Sequence, residues 1–382
     1  MKKEDNIKIV LTGGHVSPML AVLDVLIPKA ECVVIGRKHA FEKDNATSLE
    51  YEIIQAKNIP FYDISAARLQ RKFTSKTIPS IFKGPKSLLQ ARQILKVEKP
   101  DVVLTFGGYI GLPVALAAKA LGIPVVLHEQ TQKAGLSNRI ISKFAYKVCV
   151  SFPSSVSFFP KGKTVITGNP IRKEVLHGTE KLDIEIQGPL LTIMGGSSGS
   201  HTINQIIEKG LVSFLEKFTV LHQVGDTQEF NDYAVLTDIK SKLPEKLAKK
   251  YTLTKFILPE HIGWVYENSE VLVTRAGANT VSELLVMNKK AVLIPLPFSG
   301  NNEQMENAKL YKSTGLGEYV EQKNVTPVVL VSMLIELEQK KVNTKVRDWY
   351  NEDASKKIAE VVHSAASNYE NKIVSSSKNN IE

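Results

Sequence analysis

Cysteine is nearly absent, with two in 382 residues. Cys32 and Cys149 lie inside apolar strand-like runs, ECVVIG and YKVCVS, which predicts buried reduced thiols and a cytoplasmic protein rather than a disulfide scaffold or a cysteine metal site. No apolar run approaches the roughly 18–20 residues that span a bilayer. The first residues, MKKEDNIKIVLTGGH, mix lysines with acids and glycines, and predict a first strand rather than a signal peptide. No G-x-G-x-x-G follows that strand and no G-x-x-x-x-G-K-[ST] occurs, so dinucleotide-fingerprint and P-loop readings lack their motifs. Asp-x-Asp, a common handle for a nucleotide-bound divalent ion, is missing too. The expectation is a protein with no metal and no cofactor.

What is present is ordinary for a soluble α/β chain: 43% hydrophobic and 7% aromatic residues. The length exceeds one ordinary core and predicts two domains. A formal net charge of +10 favours an anionic partner. Nucleic acid is disfavoured, because no binding motif accompanies the charge. The stretch Arg68 to Lys86, RLQRKFTSKTIPSIFKGPK, holds six Lys or Arg and no acid, with Phe73, Ile78, Ile81 and Phe82 interleaved. That pattern fits an anionic membrane interface, and equally a solvated loop over a helix.

The chain is punctuated by apolar strands that end in small-residue turns. Ile7 to Leu11 runs into Thr12-Gly13-Gly14-His15, and Pro100 to Phe106 into Gly107-Gly108-Tyr109. Leu190 to Met194 runs into GGSSGS, and Val271 to Thr274 into Arg275-Ala276-Gly277-Ala278. Helical spacing follows each turn, as in Met19 to Leu26, Pro113 to Leu121 and Val281 to Leu285; an amphipathic helix is also expected over Ser87 to Glu98. The two halves echo one another: TFGGYIGLPVALAAKALGIPVVL answers TRAGANTVSELLVMNKKAVLIPL. This predicts two doubly wound Rossmann-like domains facing across a cleft, each offering the carboxyl ends of its strands. The expected division is residues 1–170, then 171–367 with the last helix able to pack back on the first domain, then a frayed polar tail over 368–382.

Gly turns at helix N-termini let backbone amides approach an anion. With no metal motif, a leaving-group charge would be met by helix N-termini and cations, Arg172 being well placed just past the linker turn. His15 follows two glycines at a strand end, where it could be a general base or could cap its own helix. Glu129, in LHEQ, could orient a base, bind substrate or fix its loop. Glu283 could accept bonds from a sugar diol. Gln304 and Asn307 could read a base or sugar, or cap their helix.

The segments TGGHVSPMLAV, PDVVLTFGGYIGLPVALAAKALGIPVVLHEQ, AGLSNRIISKFA, GNPIR, GGSSGS, TRAGANTVSE and EQMENA together resemble the MurG glycosyltransferases, which add N-acetylglucosamine to lipid I in peptidoglycan synthesis. They stand in the family's order over residues 12 to 308. The resemblance implies a GT-B fold and an inverting, metal-independent transfer from UDP-GlcNAc. It implies donor contacts from Thr12, Gly13, Gly14, Arg172, Ser197, Ile257, Ala278, Asn279, Thr280, Val281, Ser282, Glu283 and Gln304. Among these, Glu283 would hold the ribose, Ile257 would touch uracil, and Arg172 and Ser197 would face the diphosphate. His15 would take the proton from the acceptor 4-hydroxyl, and the first two Gly turns would hold the acceptor diphosphate. A polyprenyl acceptor implies a peripheral protein at the cytoplasmic face of the membrane.

Three departures mark a divergent member. Val10-Leu11 replace a Gly pair, Thr131 replaces an Asn that touches donor sugar, and Glu303-Gln304 replace His-Gln. A related transferase for another lipid, a UDP-sugar epimerase, and a non-catalytic nucleotide-sugar-binding protein remain alternative readings. The retained His15, Arg172, Glu283 and Gln304 weigh against the last.

Overall fold

The computed structural model describes residues 7–39, 48–65, 77–178, 180–196, 199–227, 229–299, 302–341 and 353–378. The chain divides into two compact units, Met1–Pro170 with Asn351–Glu382, and Ile171–Tyr350.

The first unit runs β1 (Ile7–Thr12), α1 (Val16–Leu26), β2 (Ala30–Gly36), α2 (Leu49–Ala56), β3 (Phe61–Asp63), α3 (Thr77–Glu98), β4 (Val102–Thr105), α4 (Gly108–Ala120), β5 (Val125–Glu129), α5 (Leu136–Ser142), β6 (Lys147–Val150) and β7 (Thr164–Ile166). Its strands pair in parallel in the order β3-β2-β1-β4-β5-β6-β7. Continuous runs such as VVLT and VVLHE suit a sheet covered on both faces. Alternate residues of β1 serve the two faces. Val10 packs with Val33, Val103, Ile110 and Val114, whereas Ile9 and Leu11 pack with Leu20, Leu23 and Val34.

The second unit runs α6 (Lys173–Leu176), β8 (Leu190–Met194), α7 (His201–Lys217), β9 (Thr219–Gln223), α8 (Asp232–Ser241), α9 (Glu245–Ala248), β10 (Tyr251–Thr254), α10 (Pro259–Asn268), β11 (Val271–Thr274), α11 (Ala278–Val286), β12 (Lys290–Leu293), α12 (Glu303–Ser313), β13 (Gly317–Tyr319) and α13 (Pro327–Gln339). The strand order is β10-β9-β8-β11-β12-β13, all parallel. In both sheets the order reverses beside the first strand, at β1/β4 and β8/β11. Such switch points leave a crevice at the carboxyl ends of the strands.

A final helix, α14 (Ala354–Lys378), belongs to the first unit and packs on α1, β4 and β5. Ile358, Val362, Ala365 and Ala366 form its apolar stripe within the cluster of Ile9, Leu11 and Leu23. Two sequence expectations change here. The tail from Asn368 is helical through Lys378, because a helix docked along its apolar face carries its polar end onward. Helix α3 begins at Thr77 rather than Ser87, with Pro85 inside it. Residues 68–76 of the basic stretch lie outside the described residues. Cys32 and Cys149 are free and buried. No described helix is long and apolar enough to cross a membrane.

Ile358 is fully buried in this seam. Ile358→Ala should lower the unfolding free energy by about 2–5 kcal/mol in urea titration, through lost burial and the cavity left behind.

Candidate active site

In the first unit the switch point is closed by hydroxyls. Thr12 Oγ1 and Thr105 Oγ1 are 2.9 Å apart, the Phe106 N–H donates to Thr12 Oγ1 at 3.4 Å, and the Gly107 N–H donates to Thr105 Oγ1 at 3.1 Å. Both threonines are fully buried. The Thr12 hydroxyl therefore ties the first two Gly turns to each other and is fully buried. The Gly13 N–H is likewise committed, to the Ile35 carbonyl at 2.8 Å.

His15 stands at the N-cap of α1 but makes no side-chain cap bond, so the helix-capping role is not what it does here. It is half-buried, and a Cβ at Gly108 would lie 3.7 Å from its Nε2, which places the imidazole against the second Gly turn. Desolvation by the surrounding protein lowers its pKa to about 4. At neutral pH it is an uncharged imidazole that can accept a proton.

Glu129 ends β5, is almost fully buried and accepts four hydrogen bonds. Oε1 takes Thr131 N–H at 3.0 Å and the Thr131 hydroxyl at 2.7 Å; Oε2 takes Asn138 Nδ2 at 2.9 Å and Gly135 N–H at 3.3 Å. Burial raises its pKa against these bonds. Its geometry is that of a loop organiser. The Thr131 hydroxyl, which the family pattern would turn to the donor sugar, is aimed at Glu129 and the Lys133 carbonyl. Through Asn138 the carboxylate reaches the second turn, since a Cβ at Gly107 would overlap Asn138 Oδ1.

In the second unit Arg275, directly after β11, spans the switch point. Its Nη2 donates to Ser200 Oγ at 2.7 Å and its Nη1 to the Ile294 carbonyl at 3.0 Å, joining the ends of β11 and β12 to the N-terminus of α7. The GGSSGS turn is held close: Gly196 carbonyl accepts from Gln223 Nε2 at 3.0 Å, and a Cβ at Gly199 would overlap the Val224 carbonyl. Ser197 lies outside the described residues.

Glu283 sits in α11, buried, with Tyr266 OH donating to Oε2 at 2.9 Å and Arg172 Nη2 lying 4.0 Å from Oε1. Burial raises the Glu283 pKa, and the Arg172 charge and the Tyr266 bond oppose it. Arg172 Nε is itself buried without a partner. α6 brings Arg172 here by packing closely on α10, where Gly178 and Gly263 leave no room for a side chain. Of the rest of the turn, Ala278, Val281 and Ser282 are buried, and the Ser282 hydroxyl donates to the Ala278 carbonyl at 2.8 Å. The half-buried side chains are Asn279 and Thr280.

Gln304 Oε1 accepts the Leu296 N–H at 2.9 Å, and Asn307 Nδ2 donates to the Ala276 carbonyl at 3.1 Å, so both amides brace loops around the Arg275 turn. Ile257, half-buried, packs against Leu190, Leu221 and Val265 between the exposed Phe256 and Leu258. Among the described residues one group could ligate a metal, Glu180, Glu260 and His261. It contains none of the residues above, and His261 Nδ1 already lies 3.0 Å from the Glu180 carbonyl oxygen.

Glu50, Thr105, Asn138, Tyr266 and Arg275 carry no functional pattern of their own in the sequence. Asn138 and Arg275 lie inside the motifs AGLSN and TRAG, and placement directly after a strand is the usable signal for Arg275. Tyr266 reads only as one more residue on the apolar face of α10.

The family profile of the glycosyltransferase family 28 N-terminal domain matches residues 10–150, and that of the family 28 C-terminal domain matches residues 190–370. Two parallel sheets with polar groups gathered at their switch points thus define a two-domain glycosyltransferase of that family. A relative from Clostridium botulinum, named UDP-N-acetylglucosamine--N-acetylmuramyl-(pentapeptide) pyrophosphoryl-undecaprenol N-acetylglucosamine transferase, is 34% identical over 338 residues, 86% of this chain and 90% of its own. A relative of the same name from Clostridium kluyveri is 34% identical over 373 residues, covering 93% and 98%. The chain belongs to the MurG family. The solved Acinetobacter baumannii MurG matches with a TM-score of 0.65 at 27% identity, over 94% of this chain and 99% of that one. A Methanocaldococcus jannaschii UDP-GlcNAc 2-epimerase shares the fold, with a TM-score of 0.62 at 16% identity.

Gly107 adopts φ 77°, ψ −149°, a region essentially reserved for glycine, and faces Asn138. Gly107→Ala should cost about 2–4 kcal/mol and release the Glu129 loop. Gly122→Ala, at φ 76° with nothing within 4 Å, should cost about 1–2 kcal/mol. Thermal melts of the two variants, with hydrogen exchange at Thr131 and Gly135, check the difference.

Proposed function

We propose that this chain transfers N-acetylglucosamine from UDP-GlcNAc to the 4-hydroxyl of the muramyl unit of lipid I, with inversion and without a metal. The observation that carries the reading is His15: an uncharged imidazole at the switch point of the first sheet, against the second Gly turn and free of any capping duty. As the acceptor oxygen bonds to the anomeric carbon, the hydroxyl proton passes to His15, and the bond from that carbon to the diphosphate oxygen breaks. The departing UDP carries negative charge. Arg172 and the N-terminal amides of α7 and α11 supply positive potential for it, which removes the need for a cation. Glu283, held by Tyr266, accepts from the ribose hydroxyls, and Ile257 offers an apolar contact for uracil. Glu129 orders the loop from Thr131 to Asn138 and so positions the second Gly turn. A polyprenyl acceptor requires the protein to work at a membrane surface. The basic stretch from Arg68 to Lys86 is the segment whose charge and apolar spacing suit peripheral docking there.

UDP-GlcNAc and a lipid I analogue should give disaccharide product in the presence of EDTA; product only with a different lipid acceptor would move the chain to that substrate. His15→Ala should lower kcat by about 10²–10⁴-fold with little change in donor KM, whereas Glu283→Ala should act mainly on donor KM. Because His15 is depressed below an ordinary imidazole, the acid limb of kcat/KM should fall near pH 4 rather than 6.5. A limb at 6.5 that persists in an otherwise active His15→Ala protein would remove His15 from the role.

Charge reversal at Arg71, Lys72 and Lys83 should weaken co-sedimentation with anionic vesicles. Unchanged binding would return the stretch to a solvated loop.

A further inference from the structure

Glu50 is a buried carboxyl that the transfer chemistry does not use. It stands in the first turn of α2, whose start is fixed by Ser48. The Ser48 hydroxyl accepts the Tyr51 N–H at 3.2 Å and donates to the Arg37 carbonyl at 2.7 Å, fastening α2 to the end of β2. The Glu50 side chain is 5% exposed. A Cβ on Gly13 would overlap its Oε1, and one on Gly36 would lie 3.1 Å from it. The carboxyl therefore fills the space that two glycines leave at the ends of β1 and β2, directly behind the first Gly turn. Its Oε1 is buried without a hydrogen-bond partner.

Burial pushes the Glu50 pKa up to about 7, against the pull of the Gly14 and Arg37 backbone N–H groups. The ionisable groups around it are Arg37, Lys38 and His39 after β2, Asp63 at the end of β3, Tyr51 and Glu52 on α2, and His15 across the turn. Among the described residues none makes an ion pair with Glu50. Arg37 lies over the Tyr109 ring at 6.0 Å, Lys38 Nζ over the Tyr51 ring at 5.2 Å, and Asp63 Oδ1 accepts the Lys38 N–H at 2.9 Å. His15 is neutral above about pH 4. Among the described residues Glu50 thus has no charged partner, and it titrates near the pH where the enzyme would work.

We propose that Glu50 is a positioning residue for the Gly13–Gly14 turn, and that its charge state sets how readily this turn accepts a diphosphate. Neutral, it braces the turn from behind; ionised, it places a negative charge, with no ion pair among the described residues, against the backbone of that turn. This rests on the reading that the first Gly turn holds the acceptor diphosphate, not on the donor contacts that the resemblance also implies for Gly13 and Gly14.

The experiment measures KM for a lipid I analogue and for UDP-GlcNAc from pH 6 to 9 in the wild type, Glu50→Gln and Glu50→Ala. Acceptor KM in the wild type should rise about tenfold across that range, as a buried like-charge repulsion would give, while donor KM follows no such trend. Glu50→Gln should flatten the rise at its low-pH value. Glu50→Ala should remove the rise too, but also loosen the turn and lower kcat. A second readout needs no turnover: inorganic pyrophosphate binding to the UDP-saturated protein, compared between wild type and Glu50→Gln because pyrophosphate itself titrates here. It should weaken with pH more in the wild type. If it does so while no product forms from the lipid I analogue, the acceptor assignment falls and the role of Glu50 stands. If wild type and Glu50→Gln behave alike in both measurements, the proposal is overturned. Thermal melts check the protonation itself. The folded carboxyl holds its proton to about pH 7 and the unfolded one only to about 4.5, so the wild type should lose stability relative to Glu50→Gln as pH rises between these values, and no further above 7.

Discussion

The hydroxyl pair Thr12–Thr105 is the contact on which the first half of the site depends. β1 and β4 are neighbours whose connections diverge to opposite sides of the sheet, so nothing in the strand ladder itself fixes the turns beyond their ends. The two buried hydroxyls satisfy each other and accept the Phe106 and Gly107 N–H groups, which sets both turns in one frame. Left unpaired, each group would carry a desolvation cost of about 1–3 kcal/mol, so the arrangement is strongly determined. His15 and Gly108 inherit their proximity from it. Arg275 does the same work in the second unit with a longer side chain, because there three elements rather than two must be joined.

Much of the fold was legible because buried parallel strands are continuous apolar runs and each ends in a small-residue turn. His15 and Arg172 stand out in sequence for a related reason, since they follow a strand-end turn and open the second unit, whereas Glu283 stands out by its place in the helix after the Arg275 turn. What escaped is what acts at a distance. Glu50 and Tyr266 lie on helices whose spacing says only that one face is apolar, and their partners are 37 and 17 positions away in sequence, at Gly13 and Glu283. Thr12 and Thr131 stand as donor-side positions only through the family resemblance, and the sequence does not show what their hydroxyls bond. Only the three-dimensional partners, Thr105 and Glu129, show that those hydroxyls are already committed.

The same burial that hides these groups sets their charge. Three carboxyls, Glu50, Glu129 and Glu283, are all pushed towards the neutral form by desolvation, and His15 is pushed towards the neutral form as well. For the proposed reaction, with a diphosphate on both donor and acceptor, this is favourable, since a buried carboxylate would repel such ligands. The carboxyls differ in how they are compensated. Glu129 has four donors, and Glu283 has Tyr266 and the Arg172 charge nearby.

Glu50 has an orphaned oxygen, backbone amides that do not overcome burial, and a glycine in front of it where any side chain would collide. An apolar side chain of similar volume would fill the space but leave the Gly14 and Arg37 N–H groups without this acceptor, whereas the carboxyl leaves one of its own oxygens buried and unpaired. The stability that Glu50 forgoes has to be set against something it does, and its place behind the first Gly turn limits what that can be. It touches the backbone of the first Gly turn, and an apolar replacement would lack both its acceptor for the Gly14 and Arg37 N–H groups and its ionisation.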